Sequence, residues 1–446
     1  MMDPGIRTFL IIWVGQFVSR VGTAMTRFAL LIWAYQQTGE ATTVALLGFF
    51  GFLPLILLGP VAGVWVDRLD RRKVMILADV GAAITTGLLL WFYFSGSLAI
   101  WHLYAAEVLT AVFDTFQGPA YSAATTTLLP KEYYSRASGL RSMAEDGARI
   151  LAPFLAGLLI GFIGVEGVMI VDVLTFLVAI GTLAIVAVPA IQTPEGGEVR
   201  HFLTEMRVGF DYIFQRRGLL GLTLHFTIVN FFAALTYFGV LPAMILARTG
   251  GSEIALGIVQ GALGAAGLVG GILMATWGGP RRKIHGVLLG TALSFFLGDF
   301  LFAIGRGIVV WVVAAMAASV FIPILLGSRQ AIWQSKVAPE VQGRVFSVDS
   351  MMRLALNPLG YLLAGYLADR LLEPAMMPDG PLAPVFGPLV GTGPGAGMAV
   401  MFLGTATFGG LMSLAAYLFP RVRNIEAELP DHDYQPGEPV TGSPVV

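Results

Sequence analysis

Twelve apolar stretches, each about as long as a membrane-spanning helix, follow one another along this 446-residue chain. A helix that crosses the hydrocarbon core of a bilayer needs about 20 mainly apolar residues. Glycines, prolines and charged clusters separate the stretches, which lie near residues 8–33, 43–66, 74–94, 98–128, 138–163, 166–189, 219–246, 254–277, 284–304, 308–335, 345–371 and 396–419. The pattern predicts an all-α integral membrane protein with 12 transmembrane helices.

The composition excludes a water-soluble enzyme and a nucleic-acid-binding protein. Charged residues make up 12% of the chain and hydrophobic residues 56%, whereas a soluble domain carries about 25% charged residues. A net charge of −1 leaves no basic surface for nucleic acid. The chain has no cysteine, so disulfides and cysteine-based metal or thiol chemistry are excluded. We therefore expect neither a metal nor a cofactor.

Lysine and arginine are distributed unevenly between the two sides of the predicted membrane domain. Of the 27 such residues, 19 fall in loops on the side of the N-terminus, three fall in loops on the other side and five lie within spans. Loops rich in these residues stay in the cytoplasm. The distribution predicts a multi-pass protein of the cell membrane (plasma or inner) with both termini in the cytoplasm.

An internal repeat divides the chain into two parts. The basic triplet at 71–73 recurs at 281–283, and the Thr-Gly pair at 38–39 recurs at 249–250. Parallel repeats of this kind are typical of secondary transporters. We therefore predict two six-helix halves, an N-terminal half at 1–189 and a C-terminal half at 218–423.

The segments outside the two halves are more polar. In the linker at 190–217, Phe202, Met206 and Phe210 share one helical face, and Arg207 and Asp211 lie opposite. This pattern predicts an amphipathic helix on the inner surface of the membrane, although a simple tether is equally compatible with it. The last residues, 424–446, are rich in proline and acidic residues, and we predict a disordered cytoplasmic tail.

Polar side chains recur at helical spacing on the first and fourth spans of each half. In the N-terminal half they are Gln16, Arg20, Thr23, Arg27, Glu107, Thr110, Asp114, Gln117 and Tyr121. In the C-terminal half they are Thr223, Thr227, Asn230, Tyr237, Ser319, Gln330 and Gln334. Ionisable groups in hydrocarbon cost about 2.5–3.5 kcal/mol each, so they normally face protein or water. We predict that the four polar faces line a water-filled cavity between the halves.

Two other interpretations of the polar residues stay open. Single polar side chains in membrane helices often form interhelical hydrogen bonds worth about 0.6 kcal/mol. Arg20 and Arg27 can pair with the acids of span 4, and Asp146 with Arg149, as purely structural ion pairs. Under the cavity interpretation, the candidate substrate-binding residues are Gln16, Arg20, Arg27, Gln117, Asn230 and Gln330.

The loop after span 2 carries the most specific motif of the chain. Residues 63–73 read Gly-Val-Trp-Val-Asp-Arg-Leu-Asp-Arg-Arg-Lys. This resembles motif A of the major facilitator superfamily, G-x-x-x-D-R-x-G-R-R/K, with Asp70 where glycine is usual. The resemblance implies the fold of that superfamily. It also implies a conformational latch that holds the halves in an outward-facing state, formed by Gly63, Asp67, Arg68, Arg71 and Arg72.

Two further stretches resemble the drug:proton antiporters of the same superfamily. Span 5 has the spacing of their motif C at Gly139, Pro153 and Gly157, with alanine at three other glycine positions. Segments 51–79 and 339–347 are similar to macrolide-efflux-type exporters. The resemblance implies a monomeric permease that exports a small amphiphilic molecule, such as a macrolide or siderophore, in exchange for protons. The candidates for the proton-coupling residues are Glu107, Asp114 and Asp146.

Other functions are less well supported by the residues. The chain has no Gly-Lys pair and hence no ATP-binding P-loop, and no His-Glu-x-x-His pattern of a metalloprotease. The expected partners are therefore a small-molecule substrate, protons and the lipid bilayer, with no nucleic acid. Uptake or facilitated diffusion of a small solute is the main alternative to export. A receptor or scaffold that transports nothing is a more distant one.

Overall fold

The regular structure is helical throughout the part of the chain that the computed structural model describes, which is residues 4–67, 69–186 and 199–431. The predicted all-α class is therefore confirmed. Each of the twelve predicted spans coincides with a helix or a closely spaced series of helices.

The N-terminal half contains four separate helices and one broken pair. Spans 1 to 4 are the helices Pro4–Thr38, Ala41–Asp67, Arg71–Phe94 and Ile100–Leu128. Spans 5 and 6 form one run, Tyr134–Ile185, in which Gly164 adopts φ 69° and ψ 177°. Glycine enters this region without steric cost because it has no Cβ. The break at Gly164 is what turns the chain back into the membrane between the two spans.

The spans of the C-terminal half are more often interrupted. Spans 7, 9 and 11 each contain a π-helical turn, at Ala234–Phe238, Ser294–Asp299 and Leu367–Leu372. The α-helical parts of spans 7 to 12 are Arg217–Ala233, Leu241–Thr249, Glu253–Trp277, Lys283–Leu293, Phe300–Ile304, Ile308–Ser319, Ile322–Lys336, Pro339–Leu354, Asn357–Tyr366 and Ala396–Ala415. In a π-helical turn each hydrogen bond joins residues five positions apart instead of four, and such turns are frequent at functional sites.

Nine helices of the described ranges are long and apolar enough to cross a membrane. One of the nine, Arg136–Ile185, contains both span 5 and span 6. Spans 4 and 11 lie outside the nine. Span 4 carries the polar residues predicted for the cavity, and span 11 is divided into shorter helices. The nine helices thus contain ten spans, and spans 4 and 11 bring the number to twelve.

The two halves meet at one end of the bundle, which we call the far face because it lies opposite the N-terminus. There the amide of Gln36 donates to Glu253 Oε1 over 2.8 Å. The backbone amides of Ala41 and Thr42, at the start of span 2, donate to Asp369 of span 11 over 3.0 and 2.6 Å. Both contacts join an N-terminal-half residue to a C-terminal-half residue. The opposite end, which we call the terminal face, carries the start of span 1 and the end of span 12.

The linker helix Val199–Gln215 lies on the terminal face and packs against span 11. A Cβ on Gly209 would come within 2.8 Å of the Arg344 carbonyl oxygen, and the Tyr212 hydroxyl donates to the Lys336 carbonyl over 2.9 Å. Arg207 and Asp211 are exposed, as the amphipathic pattern predicts. The first part of the predicted linker, 190–198, lies outside the described residues.

The prediction of a disordered tail from residue 424 is wrong for its first eight residues. Ile425 is fully buried, and residues Ile425–Glu428 form a helical turn. The Glu426 carboxylate accepts from the backbone amides of Lys283 and Ile284 at the start of span 9, both over 3.0 Å. A carboxylate at a helix N-terminus satisfies amides that have no partner within the helix. Residues 432–446 lie outside the described part of the chain.

Candidate functional site

A cavity of about 360 Å³ lies within the N-terminal half. Its walls come from spans 1, 3, 4, 5 and 6, and all its lining residues fall between positions 16 and 176. Six of them are charged, namely Arg20, Arg27, Asp79, Asp114, Glu145 and Arg149. The sequence predicts a cavity shared by both halves, whereas this cavity is built by one half alone. The predicted residues Asn230 and Gln330 therefore do not line it.

Arg27 is the central cation of this cavity. Its Nη2 lies 3.1 Å from Asp114 Oδ2, and its Nε lies 3.4 Å from Glu107 Oε2. Glu107 and Asp114 are seven residues apart and therefore lie on the same face of span 4, two helical turns from each other. One guanidinium can thus reach both carboxylates. The predicted pairing of Arg27 with the acids of span 4 is present in the structure.

The two predicted glutamines bind a third acid that the sequence analysis did not single out. Gln16 Nε2 donates to Asp79 Oδ2 over 2.8 Å, and Gln117 Nε2 donates to Asp79 Oδ1 over 2.6 Å. The Gln117 amide also lies 3.1 Å from Gln16 Oε1. All three side chains are buried and all three line the cavity. Spans 1, 3 and 4 are therefore joined here by hydrogen bonds between side chains.

Arg20 faces span 5 instead of span 4. Its Nη1 lies 4.0 Å from Glu145 Oε1, and both side chains are partly exposed. The predicted candidate Asp146 is exposed and is not among the residues that line the cavity. The acid of span 5 that faces the cavity is Glu145, because consecutive helical residues point about 100° apart. Asp146 therefore does not line the cavity, whereas its neighbour Glu145 does.

A second, much smaller cavity of about 30 Å³ adjoins the first, and Thr23, Arg27 and Thr110 line both. Its wall contains Asp172 of span 6, which is fully buried. Asp172 accepts hydrogen bonds from Thr23 of span 1 and Thr86 of span 3, each over 3.2 Å. Glu107 also lines this cavity. A polar region therefore continues from Asp79 to Asp172 across the core of the N-terminal half.

The predicted polar residues of the C-terminal half form hydrogen bonds within their own helix, form hydrogen bonds to neighbouring helices, or are exposed. Asn230 donates to the carbonyl of Phe226 in its own helix over 2.7 Å, and Gln330 is exposed. Tyr237 donates to Asp299 of span 9 over 2.5 Å, and Thr405 of span 12 donates to the same carboxylate over 2.5 Å. Asp299 is fully buried.

A buried ion-pair network lies nearer the terminal face of the C-terminal half. Asp349 of span 11 pairs with Arg329 of span 10 and with Arg353, whose Nε lies 2.9 Å away. Thr223 donates to the same carboxylate over 2.8 Å. The Arg329 guanidinium also lies over the ring of Trp333, 5.1 Å from its centroid. These contacts join spans 7, 10 and 11, so the arrangement is typical of a structural network.

The basic residues of the motif at 63–73 bind helix ends within the N-terminal half. Arg71 Nη1 donates to the carbonyl of Ala123 over 2.9 Å, and Arg72 donates to those of Leu183 and Ala184, each over 2.8 Å. Leu183 and Ala184 belong to the last turn of their helix, where carbonyls have no partner within the helix and a nearby cation can bind them. Asp70 caps the start of span 3 through the Lys73 amide, over 3.2 Å. Gly63 and Asp67 lie in span 2, the Asp67 side chain is outside the described part, and so is Arg68.

The motif in span 5 forms the crossing with span 8. A Cβ on Gly157 would lie 3.0 Å from the Glu253 carbonyl oxygen, and a Cβ on Gly257 would lie 2.8 Å from that of Pro153. The two glycines thus let the backbones of the halves approach closely. Gly139 has open space where a Cβ would stand, so it does not contribute to this crossing.

Four cavity or core acids, Asp79, Glu145, Asp172 and Asp299, are absent from the sequence predictions. Asp79, Asp172 and Asp299 each stand among apolar residues of their spans and form no polar stripe. An ionisable residue within a membrane span is by itself a signal of a functional site. That signal alone singles out these acids, whereas repeated polar spacing does not.

Comparison with known proteins places this arrangement in a family. The family model of the Major Facilitator Superfamily matches residues 12–361. The chain is 30% identical to "Macrolide efflux protein A" of Streptococcus pyogenes over 368 residues, which cover 81% of this chain and 90% of that protein. It is 27% identical to "Multidrug efflux pump Tap" of Mycobacterium bovis (strain BCG / Pasteur 1173P2) over 372 residues, 78% of this chain and 83% of that one.

A solved structure supports the same fold. A bacterial homolog of the human lysosomal transporter Spinster, in an inward-facing and unoccupied conformation, superposes with a TM-score of 0.70 at 16% identity. The superposition covers 98% of this chain and all of that one. The family match, the twelve helical spans and this superposition agree with one another. The chain belongs to the Major Facilitator Superfamily and is a membrane transporter, not an enzyme.

Proposed function

We propose that this transporter exports a small amphiphilic molecule and that protons entering the cell drive the export. The charged cavity of the N-terminal half carries this proposal. A volume of about 360 Å³ lies in the range of small-molecule sites, about 300–1,000 Å³. Its apolar walls include Phe113 and Phe176, and its arginines and acids offer partners to both charges of a polar ligand. The efflux proteins with which the chain shares 27–30% identity support export over uptake.

We propose that transport proceeds by alternating access, and the contacts between the halves support this. The contacts of Gln36, Asp369 and Gly157 close the far face in the present conformation. For substrate to leave at that face these contacts have to break, and the halves have to close at the terminal face instead. Arg71 and Arg72 now bind carbonyls of their own half. We propose that the motif of Gly63, Asp67, Arg68, Arg71 and Arg72 forms its latch in that second state.

The orientation and assembly are part of the proposal. The charge distribution of the loops supports a terminal face in the cytoplasm of a cell-membrane protein. In that orientation the cavity would take substrate from the cytoplasm or the inner leaflet. All lining residues of the cavity belong to the N-terminal half of one chain, which supports transport by a monomer. The linker helix then lies at the cytoplasmic surface of the membrane.

Transport in proteoliposomes tests the proposal. The purified chain is reconstituted, and uptake of ethidium and of radiolabelled erythromycin is followed with an imposed pH gradient in either direction. We expect accumulation against the direction of proton flow, and its collapse when a protonophore removes the gradient. Accumulation of neither probe above that of protein-free liposomes would contradict export of such compounds. Equal movement with and without a gradient would favour facilitated diffusion.

A further inference from the structure

The second copy of the basic triplet, at 281–283, is used differently from the first. In the first copy, Arg71 and Arg72 donate to backbone carbonyls near the ends of spans 4 and 6. In the second copy, Arg281 and Arg282 are exposed and form no ion pair with any residue that the structure describes. Two guanidinium groups that hold helix ends in one half are therefore available to an external ligand in the other.

The chain after span 12 lies directly against the start of span 9. The Glu426 carboxylate accepts from the backbone amides of Lys283 and Ile284, both over 3.0 Å. One turn further into the spans, the Tyr417 hydroxyl lies 2.8 Å from His285 Nδ1, and the two rings stack with their centroids 5.6 Å apart. Two separate contacts therefore place the end of span 12 beside the basic triplet.

This packing brings further exposed arginines to the same place. Arg423 stands three residues before Glu426, in the helical turn Pro420–Arg423. A Cβ on Gly218 would come within 2.8 Å of the Arg421 carbonyl oxygen, so the start of span 7 lies here as well. The exposed arginines at this end of the C-terminal half, which we call the arginine cluster, are Arg217, Arg281, Arg282, Arg421 and Arg423.

The acids of the C-terminal segment do not neutralise the arginine cluster. Glu426 is bound to the two backbone amides of span 9. Asp431 lies 2.7 Å from Nζ of the buried Lys336. Glu428 is the remaining acid of residues 420–431, and it is exposed. The cluster therefore keeps an excess of positive charge on the terminal face.

The two spans that reach the arginine cluster, 9 and 12, present exposed leucines at helical spacing. These are 40–79% exposed and comprise Leu289, Leu293 and Leu297 on span 9 and Leu411, Leu414 and Leu418 on span 12. The two spans pack against each other, since the Ser413 hydroxyl donates to the Leu288 carbonyl over 3.2 Å. Lipid tails are as apolar as leucine. This surface is therefore apolar along the spans and cationic at their ends, as a phospholipid with an anionic headgroup requires.

We propose that the arginine cluster binds the headgroup of an anionic phospholipid whose acyl chains lie on the leucines of spans 9 and 12. Guanidinium groups bind phosphate oxygens in a bidentate manner, and basic sites between membrane helices on the cytoplasmic side suit anionic headgroups. A zwitterionic lipid also carries a cation, which the cluster repels, so the charge favours a headgroup such as that of phosphatidylglycerol. The assignment to the inner leaflet rests on the orientation proposed above, whereas the binding does not depend on transport.

Lipid binding to the detergent-purified full chain tests this proposal without a transport substrate. Native mass spectrometry counts the bound lipids and gives their affinity, with phosphatidylglycerol compared with phosphatidylcholine of the same acyl chains. We expect tighter binding of phosphatidylglycerol. Its affinity should fall about tenfold in the double variant Arg282→Gln with Arg423→Gln. A higher salt concentration should weaken the same complex, because salt screens exposed charges.

A matched double variant separates this site from the net charge of the protein. Arg136→Gln with Arg207→Gln removes the same charge from two exposed arginines outside the arginine cluster. Arg136 lies over the ring of Tyr133, 5.7 Å from its centroid, and Arg207 pairs with Asp211 over 3.7 Å. This variant should keep the wild-type affinity for phosphatidylglycerol. All four positions are exposed, so both double variants should keep the wild-type Tm.

The possible results are distinct. Equal affinity for the two lipids, or an equal loss of affinity in both double variants, would overturn the proposal. Glycerophosphoglycerol, the same headgroup without acyl chains, should not displace the bound lipid at an equal concentration. Full displacement would assign the cluster to soluble phosphate esters and contradict a lipid site. A chain that binds phosphatidylglycerol but moves neither ethidium nor erythromycin would contradict the proposed function and leave this site intact.

Discussion

Each half of this transporter contains a buried aspartate that accepts hydrogen bonds from hydroxyls of two other spans. The lengths of these hydrogen bonds differ between the halves. In the N-terminal half, Asp172 of span 6 accepts from hydroxyls of spans 1 and 3 over 3.2 Å and lines a cavity. In the C-terminal half, Asp299 of span 9 accepts from hydroxyls of spans 7 and 12 over 2.5 Å. Under the internal repeat, spans 1, 3 and 6 correspond to spans 7, 9 and 12. The same three-helix set therefore surrounds both carboxylates, although the acid stands on a different helix.

The difference shows that two halves with the same helix arrangement can place their charged side chains in different surroundings. The N-terminal half keeps its charges around cavities, with Arg27 between Glu107 and Asp114. The C-terminal half places its charges in the buried network of Arg329, Asp349 and Arg353. We therefore expect polar substitutions in the N-terminal half to change transport, and those in the C-terminal half to change stability.

The largest effect on transport is expected from Arg27→Gln. Loss of the guanidinium leaves two acids of span 4 without the cation that lies 3.1 and 3.4 Å from them, and ionisable groups within a membrane span are unfavourable without a partner. We expect probe accumulation in proteoliposomes to fall at least about tenfold, equivalent to about 1.4 kcal/mol. The double variant Arg27→Gln with Glu107→Gln should recover part of the loss. Unchanged transport in the single variant would show that Arg27 is not part of the transport site.

The largest effect on stability is expected from Arg329→Gln in the C-terminal half. Breaking a buried ion pair by removing one partner costs about 3–5 kcal/mol, and Asp349 would retain Arg353 alone. We expect a lower Tm and a lower yield of folded protein, while transport per folded molecule stays within about twofold. Thermal unfolding and reconstituted transport measure the two quantities. A selective loss of transport at wild-type Tm would show that the C-terminal half takes part in the chemistry.

The hydroxyl donors offer a direct comparison of the two acid sites. Tyr237→Phe removes a short hydrogen bond to Asp299, and Thr23→Val removes a longer one to Asp172. A typical hydrogen bond contributes about 0.5–1.5 kcal/mol, more when it involves a charged group. We expect the Tm to fall further in Tyr237→Phe than in Thr23→Val. The reverse order would contradict the distinction between a tightly bound and a loosely bound carboxylate.

The smallest effects are expected from Asn230→Ala and Gln330→Ala. Neither side chain lines the cavity, since Asn230 bonds its own helix and Gln330 is exposed. Surface and locally bonded positions change stability by about 0.5 kcal/mol or less. Transport of both probes should therefore stay close to wild type. A strong loss of transport in either variant would instead support the predicted cavity shared by both halves, formed in another conformation.

The sequence was sufficient for the all-α class and for the twelve spans, because the bilayer imposes their length and apolar composition. It was also sufficient for the polar face of spans 1 and 4, since helical spacing alone brings Glu107 and Asp114 to the same side. Spacing could not distinguish Asp146 from Glu145, because the rotation of span 5 depends on its packing against spans 1 and 8. The order of residues 424–431 likewise depends on the ends of spans 9 and 10.

What the sequence by itself determined is the scaffold: apolar lengths, the bias of basic loops and the repeat of two halves all follow from local composition. Only the tertiary structure decided which polar groups meet. Asp79 meets Gln16 across 63 positions, Asp172 meets Thr23 across 149, and Asp299 meets Thr405 across 106. These contacts depend on the rotation of each helix and on close backbone contacts such as that of Gly22 with Asp172. No local sequence pattern encodes either of them. The tertiary structure thus placed charges of the N-terminal half around cavities and charges of the C-terminal half in a buried ion-pair network.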